Sequence, residues 1–84
     1  MSEKYFLTSY AKLRMTERKI SKVLLEDALS RPTKIMYDEK GKIMIKKLYI
    51  KAGRTRLLLV VTEVILNKFK IITIIDTSKV KKYL

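Results

Sequence analysis

The 84-residue chain contains no cysteine and no histidine. Disulfides, thiol nucleophiles, zinc sites of the usual Cys/His kind and imidazole acid/base chemistry are therefore excluded together. Any catalysis would fall to Tyr, Lys, Arg, Ser, Thr or carboxylates, and nothing in the composition calls for a metal or a cofactor. Tryptophan and glutamine are also absent and Asn67 is the single asparagine, which fits a thermophile's avoidance of labile amides and equally an AT-rich genome. No apolar run approaches the roughly 18 residues of a membrane span, and the opening MSEKYF lacks a signal-peptide core. A soluble, cytoplasmic protein is expected. Only two Gly and one Pro stand against 48% hydrophobic residues, so the chain reads as globular and not disordered. At this size one domain over residues 1–84 must commit most of its apolar side chains to a single core, as a monomer or a small homo-oligomer.

What is abundant is positive charge. Twenty Lys/Arg face eight Asp/Glu, a net +12, which favours a polyanion such as nucleic acid or an acidic protein as partner. The excess is uneven: residues 1–32 carry seven basic and four acidic side chains, residues 33–84 thirteen and four.

Thr8 or Ser9 can cap a first helix whose last turn is Glu17 to Lys19, and Ser21 a second that Pro32 ends. After Thr33 the pattern changes to β-branched runs between turn signals: TKIMY, IMIKKLYIK, TRLLLVVTEVI and FKIITIID. These predict four strands, and the short connections make neighbours antiparallel. LLLVV, apolar on both faces, reads as a central strand with KIITIID beside it. The alternation slips at Lys46–Lys47, which predicts a bulge there. The fold class is thus α+β, two N-terminal helices packed on a four-stranded antiparallel sheet. The basic end SKVKKYL, with Lys79, Lys81 and Lys82, is either a solvated tail or an arm laid on a partner.

On a helical projection with Tyr10 at zero, Arg14 falls at about 40° and Arg18 at about 80°, beside Ala11 on the apolar arc. An arginine stays charged, so each must be paired or open to a cleft. One reading staples them to carboxylates such as Glu26, Asp27, Glu63 or Asp76. The other lines a phosphate groove with them. Gly53 sets the AGRTR segment in a tight turn that can present Arg54 and Arg56 to a phosphate. Thr73 and Asp76 belong to opposite faces of a regular last strand.

The run Tyr10 to Ile20, YAKLRMTERKI, resembles the His-Ala-x-x-Arg-Met-x-x-Arg-Gly-Ile motif that opens domain-of-unknown-function family 4258. EDALSRPTKI, RLLLVVTEV and KIITIIDTSKVKKY are similar to that family's later segments, so the likeness covers nearly the whole chain. It implies a fold like that of RelE-type toxins, with RNA or the ribosome met by a concave basic face and an acidic antitoxin-like protein as partner. Here Tyr10 stands for the motif's His and Lys19 for its Gly. A toxin-type ribonuclease without metal would then use Tyr10, Arg14 and Arg18 catalytically, with Arg54, Arg56, Lys79, Lys81 and Lys82 holding RNA. Cleavage through the 2′-hydroxyl needs a base, cations for the phosphorane and an acid for the leaving oxygen. Tyr10 can serve as acid, as base if a guanidinium lowers its pKa, or as a stacking surface. The alternative is a non-enzymatic regulator or inhibitor that uses the same basic face on DNA or an acidic protein.

Overall fold

Two side-chain caps organise the helical part, as their positions in the sequence predict. The computed structural model describes residues 5–84. Thr8 is extended and its Oγ1 accepts the Ala11 N–H at 3.1 Å, opening α1 (Ser9–Arg18). Ser21 does the same for the Leu24 N–H at 3.0 Å, opening α2 (Lys22–Ser30). Each cap satisfies a helix-end amide that would otherwise lack a partner. Lys19 ends α1 in the left-handed conformation, φ 55° and ψ 43°, its N–H reaching Met15 O and Thr16 O. Pro32 follows α2 one residue after its cap Arg31.

The sheet corrects the expectation of four antiparallel strands. It has five, β1 (Tyr5–Leu7), β2 (Lys34–Tyr37), β3 (Lys42–Lys51), β4 (Arg54–Ile65) and β5 (Lys68–Thr77), in the order β1-β5-β4-β3-β2. It is mixed, because β1 runs parallel to β5, with Tyr5 opposite Phe69 and Leu7 opposite Ile71. A three-residue strand is too short to show alternation, and its partner lies more than sixty residues on, so neither local pattern nor turn chemistry announces it. A four-residue helix, α3 (Val80–Tyr83), also follows the last strand. Among the described residues no helix is long and apolar enough to cross a membrane.

β4 is the middle strand, flanked by β5 and β3, as its two-sided apolar run predicts. Alternation sends Leu58 and Val60, both fully buried, to the helices, where they meet Ala11, Leu25, Ala28, Ile45, Ile71 and Ile74. Burying a side chain of the Leu or Ile kind contributes about 1.5–3 kcal/mol, and this layer is the main core. Leu57 and Leu59 point the other way and are buried as well; α3 packs back against β4.

The predicted bulge at Lys46–Lys47 is absent. β3 pairs with β4 without a break from Lys42 opposite Glu63 to Lys51 opposite Arg54. The two lysines simply take opposite faces, each with its ammonium satisfied. Lys47 Nζ donates to Arg31 O at 2.8 Å and sits 3.2 Å from Asp27 Oδ2. Lys46, 8% exposed, donates to Tyr83 O at 2.6 Å and Leu84 O at 3.3 Å. The register shift falls instead in β5, where Val61 faces Thr73 but Thr62 faces Ile71, leaving Ile72 as the extra residue. That residue brings Ile71 and Ile74 onto the same face. It also anchors α1: Thr8 N donates to Ile71 O at 3.2 Å and Thr8 Oγ1 to Ile72 O at 3.0 Å.

Candidate nucleic-acid interface

The position of the α1 residues decides between staple and groove, and it supports neither. The buried line of α1 runs through Ala11, with Met15 packed beside it. Tyr10 and Leu13 are 49% and 51% exposed. α1 touches β5 and the edge strand β1, so only a narrow stripe around its small alanine is covered, and the arc drawn through Tyr10 and Arg14 is a flank open to solvent. Arg14 folds back on its own helix. Its Nε and Nη2 donate to Tyr10 Oη at 3.1 and 2.6 Å, its guanidinium carbon lies 5.0 Å from the Tyr10 ring centre, and Nη1 is 3.7 Å from Glu17. The hydrogen bond to Tyr10 and its charge raise the Arg14 pKa further. Arg18 is exposed, and among the described residues no hydrogen bond or ion pair holds its side chain.

The carboxylates proposed as staples are occupied by other cations. Glu26 accepts from Tyr5 Oη at 2.9 Å and sits 3.9 Å from Lys22. Asp27 lies 3.2 Å from both Lys47 and Arg31, and the Lys47 hydrogen bond leads the contacts that hold its carboxyl below the ordinary range. Glu63 bridges Lys42 and Lys70 at 4.0 Å each. Asp76 belongs to Arg56 and Tyr49.

That last cluster gives Arg56 a carboxylate partner within the fold. The β3–β4 connection is a two-residue turn, Ala52 and Gly53, both at positive φ of 52° and 76°, the geometry that suits the twist of a tight hairpin. From there, alternation puts Tyr49, Lys51, Arg54, Arg56 and, on β5, Asp76 on the helix side of the sheet. Arg56 Nε meets Asp76 Oδ1 at 3.0 Å and Tyr49 Oη donates to the same oxygen at 2.5 Å, with the Asp76 side chain only 8% exposed. Burial alone would raise the Asp76 carboxyl, but the hydrogen bonds from Arg56 and Tyr49, with the charges of Arg56 and Lys51, hold it below its ordinary value. Burial and the bond to Asp76 push Tyr49 up to about 12. Arg56 is an internal counter-ion.

Arg54 is exposed and makes no ion pair among the described residues. Two lysines that sequence reasoning did not assign to the site complete its surroundings. The elbow between the helices comes down on the end of β3, and Lys19, Ile20, Ser21 and Leu24 face Tyr49, Ile50 and Lys51 across an open cleft of about 330 Å³. Neither Lys19 nor Lys51 is within ion-pair distance of a carboxylate among the described residues. Only the tertiary fold brings residue 19 to residue 51, so no local signal could have paired them. On the other side of the hairpin, Thr55 shares an open groove with Ser78, Lys79, Val80, Lys81 and Lys82. Lys82 Nζ lies 5.4 Å from the Tyr83 ring centre.

Lys19, Lys51, Arg54, Lys79, Lys81 and Lys82 thus gather at one end of the sheet, where the strands carry a single carboxylate, Asp76, already neutralised. The opposite end mixes its signs: Asp38, Glu39 and Glu63 lie among Lys40, Lys42, Lys68 and Lys70. The described residues hold no cluster of three or more carboxylates that could take a metal ion. The chain matches no protein-family model, no curated protein sequence and no solved structure.

Proposed function

We propose that the protein is an RNA-binding module that grips single-stranded RNA along the hairpin end of its sheet. The observation that carries this reading is the convergence of Lys19, Lys51, Arg54 and Lys79, from four separate segments, around an end with no free strand carboxylate. Unpaired cations spread over both sides of one sheet end suit a flexible polyanion better than a compact ligand, and they release counterions on binding. Tyr10, half exposed with a guanidinium over its ring, offers a stacking surface in the first turn of α1. The likeness of Tyr10 to Ile20 to the family motif is the reason for putting RNA ahead of DNA.

Binding is better supported than cleavage. Tyr49 is shifted away from use as a base, and Asp76 is locked by two donors. Cleavage in the manner of a toxin-type ribonuclease would rest on Tyr10 with Arg14 beside it. The proposal is tested by fluorescence anisotropy of a labelled single-stranded RNA over a range of salt. About five to seven phosphate contacts give a log-log slope of roughly −3 to −5. A flat dependence, or no binding at low salt, would sink the reading.

A further inference from the structure

Among the described residues nothing covers the edge strand β2: Ile35, Met36 and Tyr37 are 42%, 46% and 73% exposed, and none pairs with its outer side. Exposed apolar edges of this kind recruit another strand. We propose that a second copy of this chain is the recruit, through antiparallel pairing of β2 with β2 centred on Met36, which joins the two sheets into one.

The hydrogen-bond phase limits the possible registers. Asp38 N donates to Lys42 O at 3.0 Å, and Asp38 continues the ladder in which Tyr37 faces Ile43 and Met36 faces Met44. Hydrogen-bonded pairs alternate along an antiparallel ladder, so Lys34, Met36 and Asp38 turn their backbone groups inward to β3. Ile35 and Tyr37 turn theirs outward. A symmetric partner must therefore pair odd-numbered residues with odd-numbered residues, so the axis passes through a residue, and the centres within the exposed apolar run are Ile35, Met36 and Tyr37.

Charge and donor supply choose among them. Centred on Tyr37, the pairing sets Lys34 opposite Lys40 of the second copy, and like charges directly opposite destabilise. Centred on Ile35, it needs the Thr33 N–H, which is already given to Lys46 O at 2.8 Å. Centred on Met36, it exchanges N–H and C=O between Ile35 and Tyr37 of the two copies on both sides of the axis. Ile35 then packs on the aromatic ring of Tyr37 on the helix side. On the other face, Lys34 stands opposite Asp38 of the second copy, twice, with the two Met36 side chains between. The sequence KIMYD is self-complementary in this register alone. Asp38 Oδ1 is held by the Lys40 and Lys42 amides, which leaves Oδ2 for the lysine. Lys34 Nζ gives one donor to Leu84 O at 3.0 Å and keeps two. A shallow groove beside β2, lined by Met36, Ile43 and Met44 among others, gives the methionines somewhere to settle. A strand of four residues buries little area, so the dimer belongs at the weak end of specific interfaces.

Sedimentation equilibrium of the full chain, from low micromolar to near-millimolar concentration, tests this. The wild type should pass from monomer to dimer without larger species. Ile35→Pro deletes an N–H that only the partner uses, and edge strands tolerate proline at such a position, so it should stay monomeric while its circular dichroism remains that of the wild type. Lys34→Glu should weaken the dimer roughly tenfold or more, since two attractive pairs become two repulsive ones. Lys40→Glu removes the same net charge and should leave the dimer unchanged. A wild type that is monomeric throughout, or an Ile35→Pro variant that dimerises as well as the wild type, would overturn the proposal. Equal effects of Lys34→Glu and Lys40→Glu would overturn the register.

Discussion

Replacing Tyr49 by Phe isolates the buried cluster that pairs Arg56 with Asp76. Phenylalanine keeps the ring between α2 and the sheet and removes only the hydroxyl that donates to Asp76 at 2.5 Å. A hydrogen bond to a charged acceptor contributes about 1.5–3 kcal/mol, and this one is only partly buried, which points to the lower end. Removing the hydroxyl should therefore cost about 1.5–2 kcal/mol at neutral pH, or roughly 6–16 °C in melting temperature for a domain of this size. Burial first and the bond to Asp76 second raise the Tyr49 pKa from 10.0 to about 12, which sets the pH window in which this contribution changes. The sign follows from linkage: a pKa raised on folding adds stability below the unfolded value of 10.0 that is lost as pH climbs through about 12. Urea melts of both proteins from neutral pH into that window should therefore show the gap between them closing. Tyr49→Phe should also keep its RNA affinity per folded molecule. A gap that does not change with pH, or a variant as stable as the wild type, would refute the cluster as a staple.

Tyr10→Phe keeps the ring for stacking and removes the hydroxyl that accepts from Arg14, so RNA affinity should persist. If the wild type cleaves RNA, this change should abolish cleavage, and cleavage that survives it would remove Tyr10 from the chemistry. Lys46→Met keeps the buried stem and deletes the ammonium that holds Tyr83 O and Leu84 O. Stability should move by no more than about 1 kcal/mol, because a buried cation is relieved as its bonds are lost, while proteolysis within residues 79–84 accelerates. A loss above about 3 kcal/mol would instead make those bonds a main support of the sheet.

The helical hairpin was legible because its signals are local: Thr8 and Ser21 are caps, Pro32 is a stop, and both act within one turn of the chain. β4 was legible because a strand covered on both faces needs apolar residues at every position. β1 was not, since Tyr5 to Leu7 are strand only by virtue of β5. The lysine pair of β3 misled for a related reason: Lys46 and Lys47 look like a break in phase until Tyr83, Leu84 and Asp27 arrive to receive them. At the proposed interface, Arg54, Lys79, Lys81 and Lys82 stood out by charge alone. The loss of Arg56 to Asp76 depends on the β4–β5 register, which sets Leu58 opposite Asp76, and the gain of Lys19 and Lys51 depends on how the helices dock. Arg14 was misplaced because a projection shows which residues share a flank without showing which flank meets the sheet.

The central claim is that position, and not total charge, makes the RNA site. It is tested by comparing two doubly neutralised proteins in the same anisotropy titration. Lys51→Gln with Arg54→Gln removes two charges from the hairpin end, and Lys40→Gln with Lys68→Gln removes two from the other. The first should weaken single-stranded RNA binding and flatten the salt slope by about 1.4, two phosphate contacts' worth for a single strand; the second should leave both close to wild type. Equal losses in the two proteins, or a greater loss in the second, would contradict the account.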